Sequence, residues 1–179
     1  MKKLTALFLA ILLTLSMISG IAAEEKIRVG FANINERGSF GKMVRQNMID
    51  TAQERGYELI AVDNNSDGAT AVANADTLLA MNIDYMIEFN VDTSVAPVIM
   101  EKFNAADIPV VAIDIQHEGA TFFGANNEYA GTLAGETAGD WINANWDGAV
   151  DYVVLIIQPV SGPAVAPRVG MFPEGLRNK

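Results

Sequence analysis

Short apolar runs alternate with stretches of helical periodicity along most of the chain. Six runs, rich in β-branched and aromatic residues, predict strands at residues 26–32, 57–62, 85–89, 109–113, 121–124 and 152–157. Between them, apolar side chains recur at helical spacing and predict helices at residues 39–55, 69–81, 94–106, 127–142 and 167–177. We expect Thr93 or Ser94 to cap the third helix and Asn127 to cap the fourth.

This alternation is the pattern of an α/β protein with a doubly wound parallel sheet. Several runs are apolar throughout, which is typical of strands that are buried on both faces. Strand, helix and next parallel strand form a right-handed unit, and successive units build one sheet with helices on both faces. The sixth run is followed by a single helix-like stretch, so we expect the sequence to stop inside a second sheet.

The first 23 residues have the layout of a secretory signal peptide. Lys2 and Lys3 precede 18 uncharged residues, and small residues follow at positions 20–23. We therefore predict cleavage near Ala22–Ala23 and a protein released into the periplasm. The alternative is an uncleaved membrane anchor, because 18 uncharged residues nearly span a bilayer.

Composition excludes several classes of site. The chain has 12 Lys and Arg against 22 Asp and Glu, which argues against nucleic acid as a partner. It has no Cys and one His, so disulfides, cysteine nucleophiles and two-histidine metal sites are ruled out. No G-x-G-x-x-G, P-loop or G-x-S-x-G motif is present. We expect no cofactor, no metal and no catalysis, and we interpret His117 as a solvent-exposed loop residue.

Polar side chains follow several of the predicted strands. In a parallel sheet, ligands bind beyond the carboxyl ends of the strands. Carboxylates and amides can each meet two neighbouring hydroxyls, and an aromatic ring can stack on the apolar face of a sugar. Each of these residues is also an ordinary turn former or cap, but together they favour a hydroxyl-rich ligand. The set comprises Asn33, Asn35, Ser39, Phe40, Asn90, Asp92, Asp114, Gln116, Asn126 and Asn127.

Several segments together resemble a known family. They read IRVGFA at 27–32, GYEL at 56–59, NVD at 90–92, IPVVAID at 108–114 and GANN at 124–127. With Ser39-Phe40 and Arg168, this set resembles the exported sugar-binding proteins of ABC transporters, the ribose/galactose-type group of type I periplasmic binding proteins. The segment from 162 to 176 resembles the start of that family's second lobe.

The resemblance implies two α/β lobes that close on a monosaccharide and pass it to a membrane permease. Residues 24–124 would then form the first lobe and residues 125–179 the beginning of the second, in a monomer. Asp114 would accept hydrogen bonds from sugar hydroxyls, Arg168 would donate to sugar oxygens, and Phe40 would pack on the ring. The full set of expected ligand-binding residues is Asn33, Ser39, Phe40, Asn90, Asp114, Gln116, Asn126 and Arg168.

The sequence also departs from that family and leaves other functions open. Family members are about twice as long, so we interpret the chain as an N-terminal part that by itself binds sugar weakly or not at all. One alternative is a ligand-sensing module for a chemoreceptor or sensor kinase, or a binder of a furanose-like signal molecule. The effector domain of a repressor would need a helix-turn-helix where the signal peptide stands, and an exported enzyme is the remaining alternative.

Overall fold

The described part of the chain forms a sheet of five parallel strands. The computed structural model describes residues 26–157 and 165–179, so the predicted signal peptide lies outside the described residues. The strand order is β2-β1-β3-β4-β5, and every neighbouring pair is parallel. The strands are β1 Arg28–Asn33, β2 Glu58–Asp63, β3 Tyr85–Glu88, β4 Val110–Ile113 and β5 Thr121–Phe123. The predicted α/β class with a doubly wound parallel sheet is confirmed.

Six helices accompany these strands in the described residues. They are α1 Ser39–Arg55, α2 Gly68–Ala80, α3 Ala96–Ala105, α4 Asn127–Trp146, α5 Ala166–Gly170 and α6 Phe172–Arg177. The chain runs from β1 out to β2 and then back to β3 on the other side of β1. This reversal leaves a crevice beyond the carboxyl ends of β1 and β3, where parallel sheets bind ligands.

The helix boundaries follow from local chemistry. Helix α1 ends at Gly56, whose φ of 75° lies in the left-handed region that glycine enters without strain. Asp67 caps α2 by accepting a hydrogen bond from the Thr70 backbone N–H, and its contacts with Thr70 lower the pKa of the carboxyl. The predicted cap of the third helix is wrong. Helix α3 begins at Ala96 without a side-chain cap, because Ser94 instead donates to Asp92.

Two apolar layers lie on opposite faces of the sheet. One contains Leu78 and Phe103 from the helices together with Met86 from β3. The other contains Phe31 from β1 and Phe89, which follows β3. Burying a side chain of this size stabilises the fold by about 1.5–3 kcal/mol, so both layers hold the strand ends in fixed positions.

The predicted sixth strand is absent from the structure. Residues 152–157 pair with no strand of the described chain, and Tyr152 and Ile156 are 88% and 96% exposed. Apolar β-branched residues favour a strand, but a strand also needs a neighbour for its backbone hydrogen bonds. The described residues offer no such neighbour at this position.

The last two helices pack on α4 through glycines. A Cβ on Gly131 would overlap the backbone oxygen of Arg168, and one on Gly135 would overlap the backbone oxygen of Phe172. These two positions, one turn apart, therefore let the backbone of α5 and α6 touch α4 directly. Within the described ranges, no helix combines the length and the apolar character needed to cross a membrane.

Candidate functional site

A cleft of about 360 Å³ lies where the carboxyl ends of β1, β3 and β4 meet the start of α4 and α5. We call it the strand-end cleft. Its lining has an apolar part and a polar part, and the polar part carries both signs of charge. The apolar residues include Ile34, Phe40, Phe89, Val91 and Ile115, and the polar residues are Asp114, Asn127 and Arg168.

Phe40 and Phe89 form the aromatic wall of the cleft. Their ring centroids are 6.2 Å apart and the planes are nearly perpendicular, which is a favourable edge-to-face arrangement. Phe89 is buried, whereas Phe40 is 51% exposed. The buried ring supports the exposed one, and Phe40 is left available to a ligand.

Asp114 supplies the negative charge of the cleft. It follows β4 directly, and its φ of 60° lies in the left-handed region. Asp is one of the residue types that tolerates this conformation, which is found repeatedly at binding sites. Its backbone N–H donates to the Phe123 oxygen at 2.9 Å, so β5 holds the turn while the side chain stays exposed.

Arg168 supplies the positive charge from a distant part of the chain. Its Nε donates to Asn127 Oδ1 at 2.8 Å, which joins α5 to the first residue of α4. A planar guanidinium offers five N–H donors, so four remain for other acceptors after this bond. Asn127 was expected to be a helix cap, but the structure places it on the cleft lining.

Asn126 takes the capping role that was predicted for Asn127. Its Oδ1 accepts a hydrogen bond from the Tyr129 backbone N–H at 3.0 Å, and it does not line the strand-end cleft. A one-residue shift rotates a side chain by about 100° around a helix, which is enough to exchange the two roles.

Replacing Asn126 with alanine is expected to lower the free energy of unfolding by about 1 kcal/mol, because α4 loses its N-cap. Asn126→Asp retains an acceptor and is expected to keep the stability of the wild type. Urea unfolding of the three proteins measures the difference. Equal stability of Asn126→Ala and wild type would contradict the capping role.

Asn33 and Asn90 are buried behind the cleft rather than on its lining. Asn33 Nδ2 donates to the Gly41 oxygen at 2.9 Å, and Asn90 exchanges hydrogen bonds with the backbone of Asp92. Both side chains fix the loops that follow β1 and β3. Asn33 Oδ1 is buried without a partner among the described residues.

Ser39 and Gln116 also lie outside the strand-end cleft. Ser39 is an exposed residue at the start of α1. Gln116 lines a separate cleft of about 460 Å³, together with Thr93, Glu101 and Glu118. Of the eight residues predicted to bind ligand, the structure therefore brings Phe40, Asp114 and Arg168 onto one cleft.

The interpretation of His117 as a solvent-exposed loop residue is wrong. The side chain is 1% exposed, and its Nδ1 lies 3.0 Å from the Ile115 oxygen. Burial lowers the pKa of this imidazole, because the charged form loses its hydration. The loop closes in a turn, in which the Ala120 N–H donates to the His117 oxygen at 3.1 Å.

Glu88 is a buried acid that the sequence analysis missed. It lies at the end of β3 with no exposed surface, and its Oε1 accepts a hydrogen bond from Asn64 Nδ2 at 3.0 Å. Asn64 in turn accepts from Asn74 and donates to the Phe89 oxygen. Burial raises the pKa of Glu88 to about 8, so the carboxyl is mainly protonated at pH 7. The signal in the sequence is a single acidic residue within the otherwise uncharged strand segment 85–89.

The described residues contain no cluster of side chains suited to binding a metal ion. No group of three or more His, Asp or Glu side chains is placed to hold an ion there. The chemistry of the strand-end cleft is therefore that of one carboxylate, one guanidinium, one amide and an aromatic wall.

Comparison with known proteins adds the family. The ribose import binding protein of Haemophilus influenzae is 27% identical over 114 residues, which is 64% of this chain and 38% of that protein. The structure of a galactofuranose binding protein has a TM-score of 0.71 at 21% identity and covers 85% of this chain. An Agrobacterium vitis solute binding protein solved with bound allitol has a TM-score of 0.70 at 19% identity and covers 86%.

The chain spans only part of these relatives. It matches 52% of the length of each of the two solved structures. Their likeness confirms the fold, which the five parallel strands already indicate. The family itself rests on a separate match, to the model of a periplasmic binding protein domain over residues 29–178. Because this match includes almost all of the described chain, the protein belongs to the periplasmic binding protein domain family.

Proposed function

We propose that this protein is an exported solute-binding protein that captures a monosaccharide or a similar polyol and delivers it to an ABC transporter permease. The observation that carries the proposal is the joint placement of Phe40, Asp114 and Arg168 on the strand-end cleft. Membership of the periplasmic binding protein family supports it.

The cleft offers polar groups for the hydroxyls of a sugar and an aromatic ring for its apolar C–H face. The Asp114 carboxylate accepts hydrogen bonds from two neighbouring hydroxyls, and the Arg168 guanidinium donates to hydroxyl or ring oxygens. Such charge-assisted hydrogen bonds are roughly twice as strong as neutral ones. The C–H face of a sugar ring can pack on Phe40, which is exposed for this contact.

The names of the relatives favour a small polyhydroxylated ligand. They are a ribose import protein, a galactofuranose binding protein and a protein solved with allitol. A pentose, a hexose in furanose form and an open-chain polyol share neighbouring hydroxyls as their common feature. We propose that class of ligand for this chain.

The proposed function involves binding and release without a chemical step. General acid–base catalysis needs a group of suitable pKa within hydrogen-bond reach of the substrate. His117 is buried and is absent from the lining of the strand-end cleft. We therefore propose that the protein is not an enzyme.

We propose that the ligand site combines two lobes of a monomer. Residues 24–124 form the first lobe, which supplies Phe40 and Asp114, and residues 125–179 begin the second lobe, which supplies Arg168. Residues 1–23 act as the signal peptide that directs the protein to the periplasm. Closure of a second lobe over the cleft would exclude water and strengthen the polar contacts.

Replacing Asp114 with asparagine is expected to weaken sugar binding tenfold or more. Asparagine tolerates the left-handed backbone at this position, so the substitution removes charge with little strain. A hydrogen bond to a charged group contributes about 1.5–3 kcal/mol, which corresponds to roughly tenfold to more than a hundredfold in affinity. Saturation-transfer NMR with millimolar ribose, galactose and allitol measures the binding of wild type and variant.

Glu118→Gln is the matched control, because this carboxylate lines the separate cleft. It is expected to bind sugar like the wild type. Binding of none of the three ligands at millimolar concentration would contradict the proposal that this chain by itself captures a sugar. Equal affinity of Asp114→Asn and wild type would contradict the proposed role of Asp114.

A further inference from the structure

We propose that Asn127 and Gly131 are positioning residues that hold Arg168 over the strand-end cleft. The inference rests on the proposed function for its ligand but gives Asn127 and Gly131 a role other than direct contact with that ligand. Asn127 acts on the guanidinium, and Gly131 acts on the backbone of the same arginine. The two lie four positions apart on α4 and therefore on one face of the helix.

The guanidinium is held by a direct hydrogen bond. Arg168 Nε donates to Asn127 Oδ1 at 2.8 Å, which is a normal length for a charged donor. Arginine has a long side chain with high rotamer entropy, and binding a ligand with a mobile arginine would require this entropy to be lost. Asn127 reduces that loss because one nitrogen of the guanidinium is fixed before a ligand arrives.

The backbone of Arg168 is held by close approach to α4. A Cβ on Gly131 would overlap the Arg168 oxygen and lie 3.0 Å from Met171 Cβ. Any side chain at position 131 would therefore push α5 away from α4. Since α5 has only five residues, it has little rigidity of its own and depends on this contact for its position.

The two contacts act on opposite ends of the same residue. Gly131 fixes the position of the Arg168 backbone, and Asn127 fixes the position of its guanidinium group. Asn127 itself is fixed as the first residue of a 20-residue helix that Asn126 caps. The sugar-binding charge of Arg168 is thereby tied to α4 rather than to the short helix that carries it.

The test combines affinity with a double-mutant cycle. Asn127→Ala and Gly131→Ala are each expected to weaken binding of allitol at least threefold, measured by saturation-transfer NMR. In an Arg168→Ala background, the same substitutions are expected to change affinity less than twofold, because their effect passes through Arg168. Equal losses in both backgrounds would overturn the proposal, since Asn127 would then act on the ligand directly.

Gly170→Ala is the matched control. It lies on the same short helix as Arg168, and nothing lies within 4 Å of the Cβ that it would gain. It is expected to bind allitol like the wild type. A loss as large as that of Gly131→Ala would mean that any change in α5 has this effect, and would overturn the role of Gly131.

A second readout needs no ligand and separates this inference from the proposed function. The Arg168 Nε–H resonance is expected to shift and to exchange faster with solvent in Asn127→Ala and Gly131→Ala, but not in Gly170→Ala. An unchanged resonance in the first two variants would overturn the positioning role. If the wild type binds no sugar, the proposed function fails while this readout still tests whether Arg168 is held.

Discussion

The Glu88→Gln variant is expected to be more stable than the wild type at pH 8, and the difference is expected to shrink as the pH falls toward 5. Glu88 is buried on β3, and its pKa in the folded protein is raised to about 8 from the ordinary value of 4.5. The unfolded chain therefore releases the Glu88 proton at a lower pH than the folded protein does. The glutamine side chain does not titrate, so the substitution removes the pH dependence of stability that Glu88 causes.

The sign and size of the effect follow from proton linkage. Between pH 4.5 and about 8, the folded state holds a proton that the unfolded state has lost. The Glu88 contribution to the wild-type free energy of unfolding then falls by about 1.4 kcal/mol for each unit that the pH rises through this window. Above pH 8 the folded state also ionises, and the contribution stops changing.

Urea unfolding of both proteins at several pH values between 5 and 8 measures the effect. The difference between the two curves isolates Glu88, because His117 and the other titrating groups are common to both proteins. Glu54→Gln, at an exposed position of α1, is expected to follow the wild type throughout. Parallel curves for wild type and Glu88→Gln would show that the buried carboxyl does not carry a raised pKa.

Gly41→Ala is expected to destabilise the protein by about 1–3 kcal/mol, although alanine is the better helix former. A Cβ at position 41 would overlap the Asn35 backbone oxygen and lie 3.0 Å from the Asn35 carbonyl carbon. Backbone atoms cannot rotate away, so the loop between β1 and α1 must shift. Asn33 donates to the Gly41 oxygen, and that hydrogen bond would be strained by the same movement.

Differential scanning calorimetry of Gly41→Ala and Gly38→Ala measures this effect. At Gly38 the nearest atom, Asn35 Oδ1, would be 3.9 Å from the new Cβ, so this matched variant is expected to lose much less stability. Because Phe40 precedes Gly41 directly, Gly41→Ala is also expected to weaken sugar binding. Equal melting temperatures for the two variants would contradict the close approach at Gly41.

The candidate site was partly predictable from the sequence. The carboxyl ends of parallel strands meet at one edge, so Phe40 and Asp114 could be placed there from the strand pattern. Arg168 entered only through a family resemblance, because nothing local links residue 168 to β4. Gln116 was misplaced because the strand pattern gives the end of β4 but not the course of the loop after it, in which Ile115 lines the strand-end cleft and Gln116 lines the separate one.

Asn126 and Asn127 show the limit of local reasoning. The Asn-Asn pair correctly marked the start of a helix, since either residue can accept a hydrogen bond from a free N–H group. Which of the two caps and which lines the cleft depends on the residue at which α4 begins, and both residue types are acceptable at that position. The surroundings of α4 are tertiary as well, since Gly131 and Gly135 bring it into backbone contact with α5 and α6.

The sequence by itself determined the order of the five strands and of helices α1 to α4, because apolar periodicity and turn residues are local properties of the chain. Tertiary structure alone decided which polar groups are buried and which strands are paired. Glu88 is buried beside Asn64, which lies 24 residues away in sequence, and His117 is buried although it lies in a polar segment. Residues 152–157 have no neighbouring strand in the described chain. Burial and strand pairing depend on such distant partners, which no local pattern specifies.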